Sequence, residues 1–204
     1  MRALLEGAGY AVCATEGNLN NDIGVPMSLF CLNAQHDVGV FEVAMNQPGE
    51  IARLGAVVEP RIATVINARG AHRAAFPDDD AVADEKCSLW TAAEQVVVGN
   101  LNDARGGARL RRQPKPQISF GSAPDATVRL EWVELQPDFS CAVQLTWAGV
   151  SRELTLHSAS LATGELVAAA VASLEPVLDA KAWPAAIAGL RKLSLGAPRR
   201  CEPK

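Results

Sequence analysis

DVGVFEVA at Asp37–Ala44 and RIATVINA at Arg61–Ala68 decide how this chain folds. Each is a short, Val-rich apolar run with a polar residue near its end, Glu42 in the first and Asn67 in the second. That is the pattern of a strand covered on both faces in a parallel sheet, with the polar residue where the strand leaves the core. Upstream, residues 2–8 predict the back of a helix stopped by Gly7 and Gly9, followed by a strand over Tyr10–Thr15. Pro26 fits the first turn of a helix running to about Leu32, and Pro48–Gly55 predicts another. Downstream, Asp78–Asp80 cap a helix over Ala81–Ala93, and Gln95–Leu101 reads as a further strand. Such alternation predicts βαβ units in a parallel sheet flanked by helices, hence the α/β class. Ligands of such sheets bind beyond the carboxyl ends of the strands, where Glu42, Asn67 and His72 fall.

The chain has 204 residues, 49% of them hydrophobic and 21% charged, which is enough for one full domain core. Only 5% are aromatic, so Ala, Val and Leu must fill that core. Nineteen Lys and Arg against 23 Asp and Glu give a net charge of -4, which argues against a dedicated nucleic-acid binder or an electrostatic membrane anchor. The longest stretch free of charged residues, between Asp22 and Asp37, is about 14 residues, too short for a membrane span. Glu6 and two glycines break any apolar leader at the start. Five scattered cysteines without CxxC spacing fit a reducing, cytoplasmic location and offer no zinc site.

Near residue 103 the texture changes. ARGGARLRRQPKP, Ala104–Pro116, reads as a basic connector broken by Gly and Pro; its arginines match phosphate geometry, but a solvated hairpin rim suits the overall acidity better. TVRLEWVEL, FSCAVQLTWAG and SRELTLHS then alternate as an antiparallel meander, and Gly164 and Pro184 open two more helices. The organisation expected is one unit with a parallel part over 1–102, a connector and meander over 103–160, and helices with an exit linker over 161–204.

Among polar candidates, Glu42 reads either as a carboxylate orienting magnesium or water, or as a solvated strand end. His72 and Lys86 have ordinary loop and surface readings, and Cys87 lacks a histidine partner in sequence. The GNLNNDIGVP loop, Gly17–Pro26, is rich in groups suited to tight turns and ligand hydrogen bonds. No GxSxG, HExxH, GxGxxG or GxxxxGK[ST] occurs.

TEGNLNNDIGVPMSLFCL at Thr15–Leu32, GVFEVAMNQPGEIARL at Gly39–Leu54 and VINARGAHRAAF at Val65–Phe76 together resemble the Mur ligases, in particular the branch that adds D-alanyl-D-alanine to UDP-MurNAc-tripeptide. DEKCSLW, VVVGNLND and ISFGSAPDATVRLEWVEL extend the resemblance more weakly, so that it covers the family's central, P-loop-NTPase-like domain. The resemblance implies ATP-dependent phosphorylation of a carboxyl group and attack on the acyl phosphate by an amine, with magnesium neutralising charge. It places Glu42 and His72 at magnesium-associated positions and Lys86 at the lysine whose carbamate supports a second magnesium. Thr15, Asn18, Asn20 and Asn21 match a substrate-facing loop for a UDP-MurNAc-peptide-like ligand, and Asn67 a position lining the site.

Several departures accompany these matches. The chain begins at about the residue after the family's Gly-Lys-Thr, so the phosphate loop, and with it ATP binding, is expected to be missing, leaving the parallel sheet incomplete. The amino-component domain is likewise not expected. Where the family has Gly-x-His-Asn-x-x-Asn, this chain has Ser160, Leu161 and Gly164 at the His and Asn positions. The glycine that usually follows the strand glutamate is absent at Val43–Ala44, and Lys86 is followed by Cys-Ser rather than Gly-Glu. These departures imply a module that binds substrate or a partner without turnover. The alternatives are a subunit of a split, active ligase, and a gene remnant. An unpaired sheet edge would recruit a second copy or another protein.

Overall fold

The computed structural model describes residues 1–69, 75–138, 140–158 and 160–190. Helix α1 (Arg2–Gly7) leads to strand β1 (Val12–Ala14), then come helix α2 (Gly24–Phe30), strand β2 (Val38–Val40), helix α3 (Glu50–Val58) and strand β3 (Ile62–Val65). Helices α4 (Asp79–Cys87) and α5 (Leu89–Ala92) precede strand β4 (Val96–Asn100), helix α6 (Ala104–Leu110) and strand β5 (Gln117–Gly121). Strands β6 (Val128–Leu135), β7 (Cys141–Trp147) and β8 (Val150–Leu156) form hairpins, and helices α7 (Ala162–Leu174) and α8 (Trp183–Leu190) complete the order.

The strands divide into two sheets. β1 and β2 make a parallel pair, while β3 to β8 make a six-stranded sheet in chain order. Its first four strands are mutually parallel and its last three antiparallel. The α/β class and the meander are therefore as read from sequence. The meander continues the same sheet through two residue pairs, Phe120 with Val128 and Gly121 with Arg129. Among the described residues β2 pairs only with β1 and β3 only with β4, so the parallel strands do not form one continuous sheet.

Burial follows strand alternation. Val98 and Phe120 face a large cluster with Leu130, Val143 and Leu145, covered by Val167, Ala168, Val171 and Ala172 of α7 and extended to Leu4 and Leu5 of α1. Trp147 and Trp183 meet edge to face there, 5.1 Å between centroids. Ala63, Val65 and Val97 face the other way, onto Trp90 and Leu110. The indole of Trp90 donates to the Val98 carbonyl at 3.1 Å, which lets its polar atom enter that layer. The alanines of α7 bring its axis close to the strands, as a chain poor in aromatics requires.

Four sequence expectations are corrected. The strand expected over Asp37–Ala44 covers only Val38–Val40 and is half-exposed, because the Glu42 N–H leaves the ladder for the Thr15 hydroxyl at 2.9 Å. The helix expected over Ala81–Ala93 starts at Asp79, capped by the Asp78 carboxylate, and breaks at Ser88, whose hydroxyl donates to the Glu85 carbonyl at 2.6 Å. The basic connector is in part helix α6, capped by Asp103. Its arginines form no hairpin rim: Arg109 pairs with Asp84 at 2.6 Å and Asp80 at 3.1 Å, and Arg105 lies 3.7 Å from Asp79. Acidic residues on α4 thus pair with Arg105 and Arg109 of the run that composition left solvated, while Arg111 pairs with Asp125.

Candidate functional site at the carboxyl ends of the strands

Beyond β1 and β2, three predicted residues meet. The Thr15 N–H donates to the Val40 carbonyl at 3.1 Å, while the Thr15 hydroxyl takes the Glu42 N–H. The Asn20 amide donates to the Glu42 carboxylate at 2.7 Å, and the Asn20 carbonyl accepts the Ala44 N–H at 2.8 Å. The Gly/Asn-rich loop is therefore tied at Asn20 to the segment after β2, and the Glu42 side chain is held in a fixed direction. Asn21 plays another part: its side-chain oxygen accepts from the N–H groups of Ile23 and Gly24, starting helix α2. Asn18 contributes its carbonyl to the Asn20 N–H at 2.8 Å.

A second group lies beyond β3 and β4. The Lys86 ammonium donates to the Asn67 side chain at 3.4 Å and to the Arg69 carbonyl at 3.0 Å. Burial lowers the Lys86 pKa, against the pull of Asp103. His72 lies outside the described residues. No hydrogen bond joins the Glu42 group to the Lys86 group among the described residues.

Sequence reasoning overlooked the residues that hold this second group in place. Asp103, 5% exposed, accepts the Ala68 N–H at 2.6 Å and caps α6 through the N–H groups of Arg105 and Gly106. Asn100, 2% exposed, donates to the Ile66 carbonyl at 3.0 Å and accepts the Asn102 N–H at 2.8 Å. Glu165 of α7 takes the Asn102 amide at 3.1 Å and lies 3.7 Å from Arg69. The side-chain oxygen of Asn102 accepts the Ser122 N–H at 2.7 Å. A side chain at Gly121 (φ 135°) would collide with Asn102, its Cβ falling 2.8 Å from that oxygen. The signal was present as GNLND, polar groups packed at a strand end, but sequence could not show where each side chain turned.

The start of α7 is packed tightly. A Cβ on Gly164 would stand 2.2 Å from a Val133 methyl, so a larger residue there requires the Val133 side chain, β6 or α7 to move. Magnesium finds limited support in the donor set: among the described residues no three His, Cys, Asp or Glu side chains gather, and Glu42 offers one carboxylate already bonded to Asn20. A cavity of about 460 Å³ lies elsewhere, between the β6–β7 turn and β8, lined by Asp138, Glu153 and Thr155 among others. Among the described residues no helix is long and apolar enough to cross a membrane.

A parallel sheet carrying polar groups at its carboxyl ends and continuing into a meander defines a class of ligand-binding α/β domains. The Mur ligase middle-domain model matches residues 1–172, and the chain belongs to that family. The UDP-N-acetylmuramoyl-tripeptide–D-alanyl-D-alanine ligase of Treponema pallidum is 39% identical over 94 residues, which is 46% of this chain and 20% of that protein. The same-named ligase of Escherichia coli is 38% identical over 88 residues, 43% of this chain and 20% of that protein. A crystal structure of MurF from Acinetobacter baumannii superposes with a TM-score of 0.83 at 27% identity, covering 96% of this chain and 43% of that one. MurF from Thermotoga maritima, in complex with ADP, has the same fold: TM-score 0.76, 21% identity, 94% of this chain and 44% of that one. The chain thus spans less than half the length of each.

Proposed function

We propose that the chain is the middle part of an ATP-dependent amide ligase of peptidoglycan precursor synthesis, holding the substrate side of the reaction and turning over no nucleotide by itself. The observation that carries this reading is the corner in which Thr15 and Asn20 fix Glu42 at the end of β2. Such a corner presents a carboxylate and an amide in fixed directions, which suits orientation of a UDP-MurNAc-peptide whose terminal carboxyl is to be activated. In the reaction proposed, that carboxyl takes a phosphoryl group from ATP, and the amine of D-alanyl-D-alanine displaces the phosphate to form the amide. Lys86, held at Asn67 and shifted toward its neutral form by burial, is suited to carry a carbamate, because the free amine is the species that adds carbon dioxide. The lack of turnover is supported by Gly164, which stands packed against Val133 where the family resemblance places an asparagine.

Calorimetric titration with UDP-MurNAc-tripeptide tests the reading. Saturable heat that weakens about tenfold or more in Asn20→Ala is expected, as for loss of a charge-assisted contact. No heat with the wild-type chain sinks it. ATP hydrolysis by the chain alone at an ordinary enzyme turnover would overturn the lack of nucleotide turnover.

The split sheet favours a second reading, in which the edges of β2 and β3 that pair with no other strand among the described residues take a strand from a second copy or another protein. Light scattering on purified protein is expected to return more than one chain's mass, whereas a monomer at high concentration removes the second copy from this reading.

A further inference from the structure

We propose that Asn102 and Arg69 form an oxyanion site at the carboxyl ends of β3 and β4, that the Glu165 carboxylate fills it in the free chain, and that a small phosphate- or carboxylate-bearing molecule displaces Glu165. Both donors address the same atom. The Asn102 amide nitrogen lies 3.1 Å from Glu165 Oε1, and an Arg69 guanidinium nitrogen lies 3.7 Å from it.

The Asn102 donor is aimed independently of Glu165. Because the Asn102 side-chain oxygen is taken by the Ser122 N–H, its NH2 group must face the other way. Its backbone N–H is fixed on Asn100, itself fixed on Ile66, and Gly121 leaves the space its amide occupies. A donor held by two hydrogen bonds besides its own keeps its direction when its acceptor leaves. The Arg69 backbone carbonyl accepts a hydrogen bond from the Lys86 side chain at 3.0 Å, which fixes the chain where the Arg69 side chain departs.

Glu165 itself is held weakly. The Arg69 side chain is 65% exposed, and an ion pair this open to water contributes little stability. A mobile oxyanion with two or three acceptor oxygens can bind both donors more fully than one carboxylate tethered to a helix. Glu165 thus acts as an internal competitor: it keeps the donors satisfied in the empty protein and raises the concentration of ligand needed to enter. The contacts alone carry this inference, whatever the fate of the ligase reading.

The test is titration of the wild-type chain, Glu165→Ala and Glu165→Gln with inorganic phosphate and, separately, acetate at constant ionic strength. Phosphate is followed by 31P line broadening, and amide shifts near Asn102 are followed for both ligands. Removing the competitor is expected to tighten one of the two anions by about tenfold in Glu165→Ala, with Glu165→Gln in between. The anion that tightens identifies the ligand as phosphate- or carboxylate-bearing. The gain is expected to vanish in Glu165→Ala combined with Arg69→Ala or with Asn102→Ala. Equal affinity in wild type and both Glu165 variants overturns the proposal, as does a gain that survives loss of Arg69 and Asn102. Should Glu165→Ala fail to fold, the Glu165→Gln series decides alone.

Discussion

Cys87 shows how far a side chain's chemistry depends on its surroundings. Burial pushes its thiol up to about 12, well above the ordinary value of 9.0. At pH 8 it is therefore expected to resist iodoacetamide while exposed Cys31 is alkylated, as mass mapping of the peptides will read. The stability consequence has a definite sign. Between about pH 9 and 12 the unfolded chain has released this proton and the folded chain has not, so the contribution is complete below pH 9 and is lost as pH rises toward 12. Urea unfolding at pH 8 and pH 10 is expected to give lower stability at the higher pH, with a smaller drop in Cys87→Ala. Gly164→Asn makes a second test at this scale. The added side chain must enter space held by Val133, and a loss of about 1–3 kcal/mol is expected from the melting temperature. Retained stability would mean that Val133 or α7 shifts to admit it.

Two helix caps of the same residue type separate exposure from burial. Asp78 caps α4 through the Ala81 N–H at an exposed position, whereas Asp103 is buried and satisfies three backbone N–H groups, two on α6 and one on the segment after β3. Asp78→Ala is expected to cost about 1 kcal/mol, the usual value for a lost cap. Asp103→Ala is expected to cost about 2–4 kcal/mol, because the Ala68 N–H is left without its acceptor in the interior. Denaturant midpoints of the two variants check the ordering, and equal losses would refute the role given to Asp103. The α4 cap was legible in the run of aspartates. The α6 helix was not, since Gly106, Gly107 and the basic residues disguise a segment whose helix depends on Asp103 and on the carboxylates of α4.

At the scale of the molecule, α7 joins what the sequence divides. Its buried residues share one cluster with parallel strands β4 and β5 and with meander strands β6, β7 and β8. One cooperative unfolding transition is expected, with tryptophan fluorescence and far-UV circular dichroism coincident. Ala168→Leu, at a position with 0% exposure, is expected to lower that transition by about 1–3 kcal/mol without splitting it. Two transitions would show that the parallel part and the meander fold apart.

The sequence by itself determined the α/β class, the meander, the alternation of helices and strands as far as β4 and the family, because hydrophobic periodicity and turn residues act over a few neighbours. It also marked Glu42 and Asn67 as polar groups at strand ends and, through the family resemblance, Thr15, Asn20 and Lys86 as site positions. Tertiary structure alone decided that Thr15, Asn20 and Glu42 form one corner and Lys86 and Asn67 another, that Asn21 serves α2, and that the parallel strands fall into two sheets. It alone revealed Glu165 facing Asn102 and Arg69, residues 63 and 96 positions away. Such contacts depend on which chain segments the core brings together, and no local pattern encodes that distance.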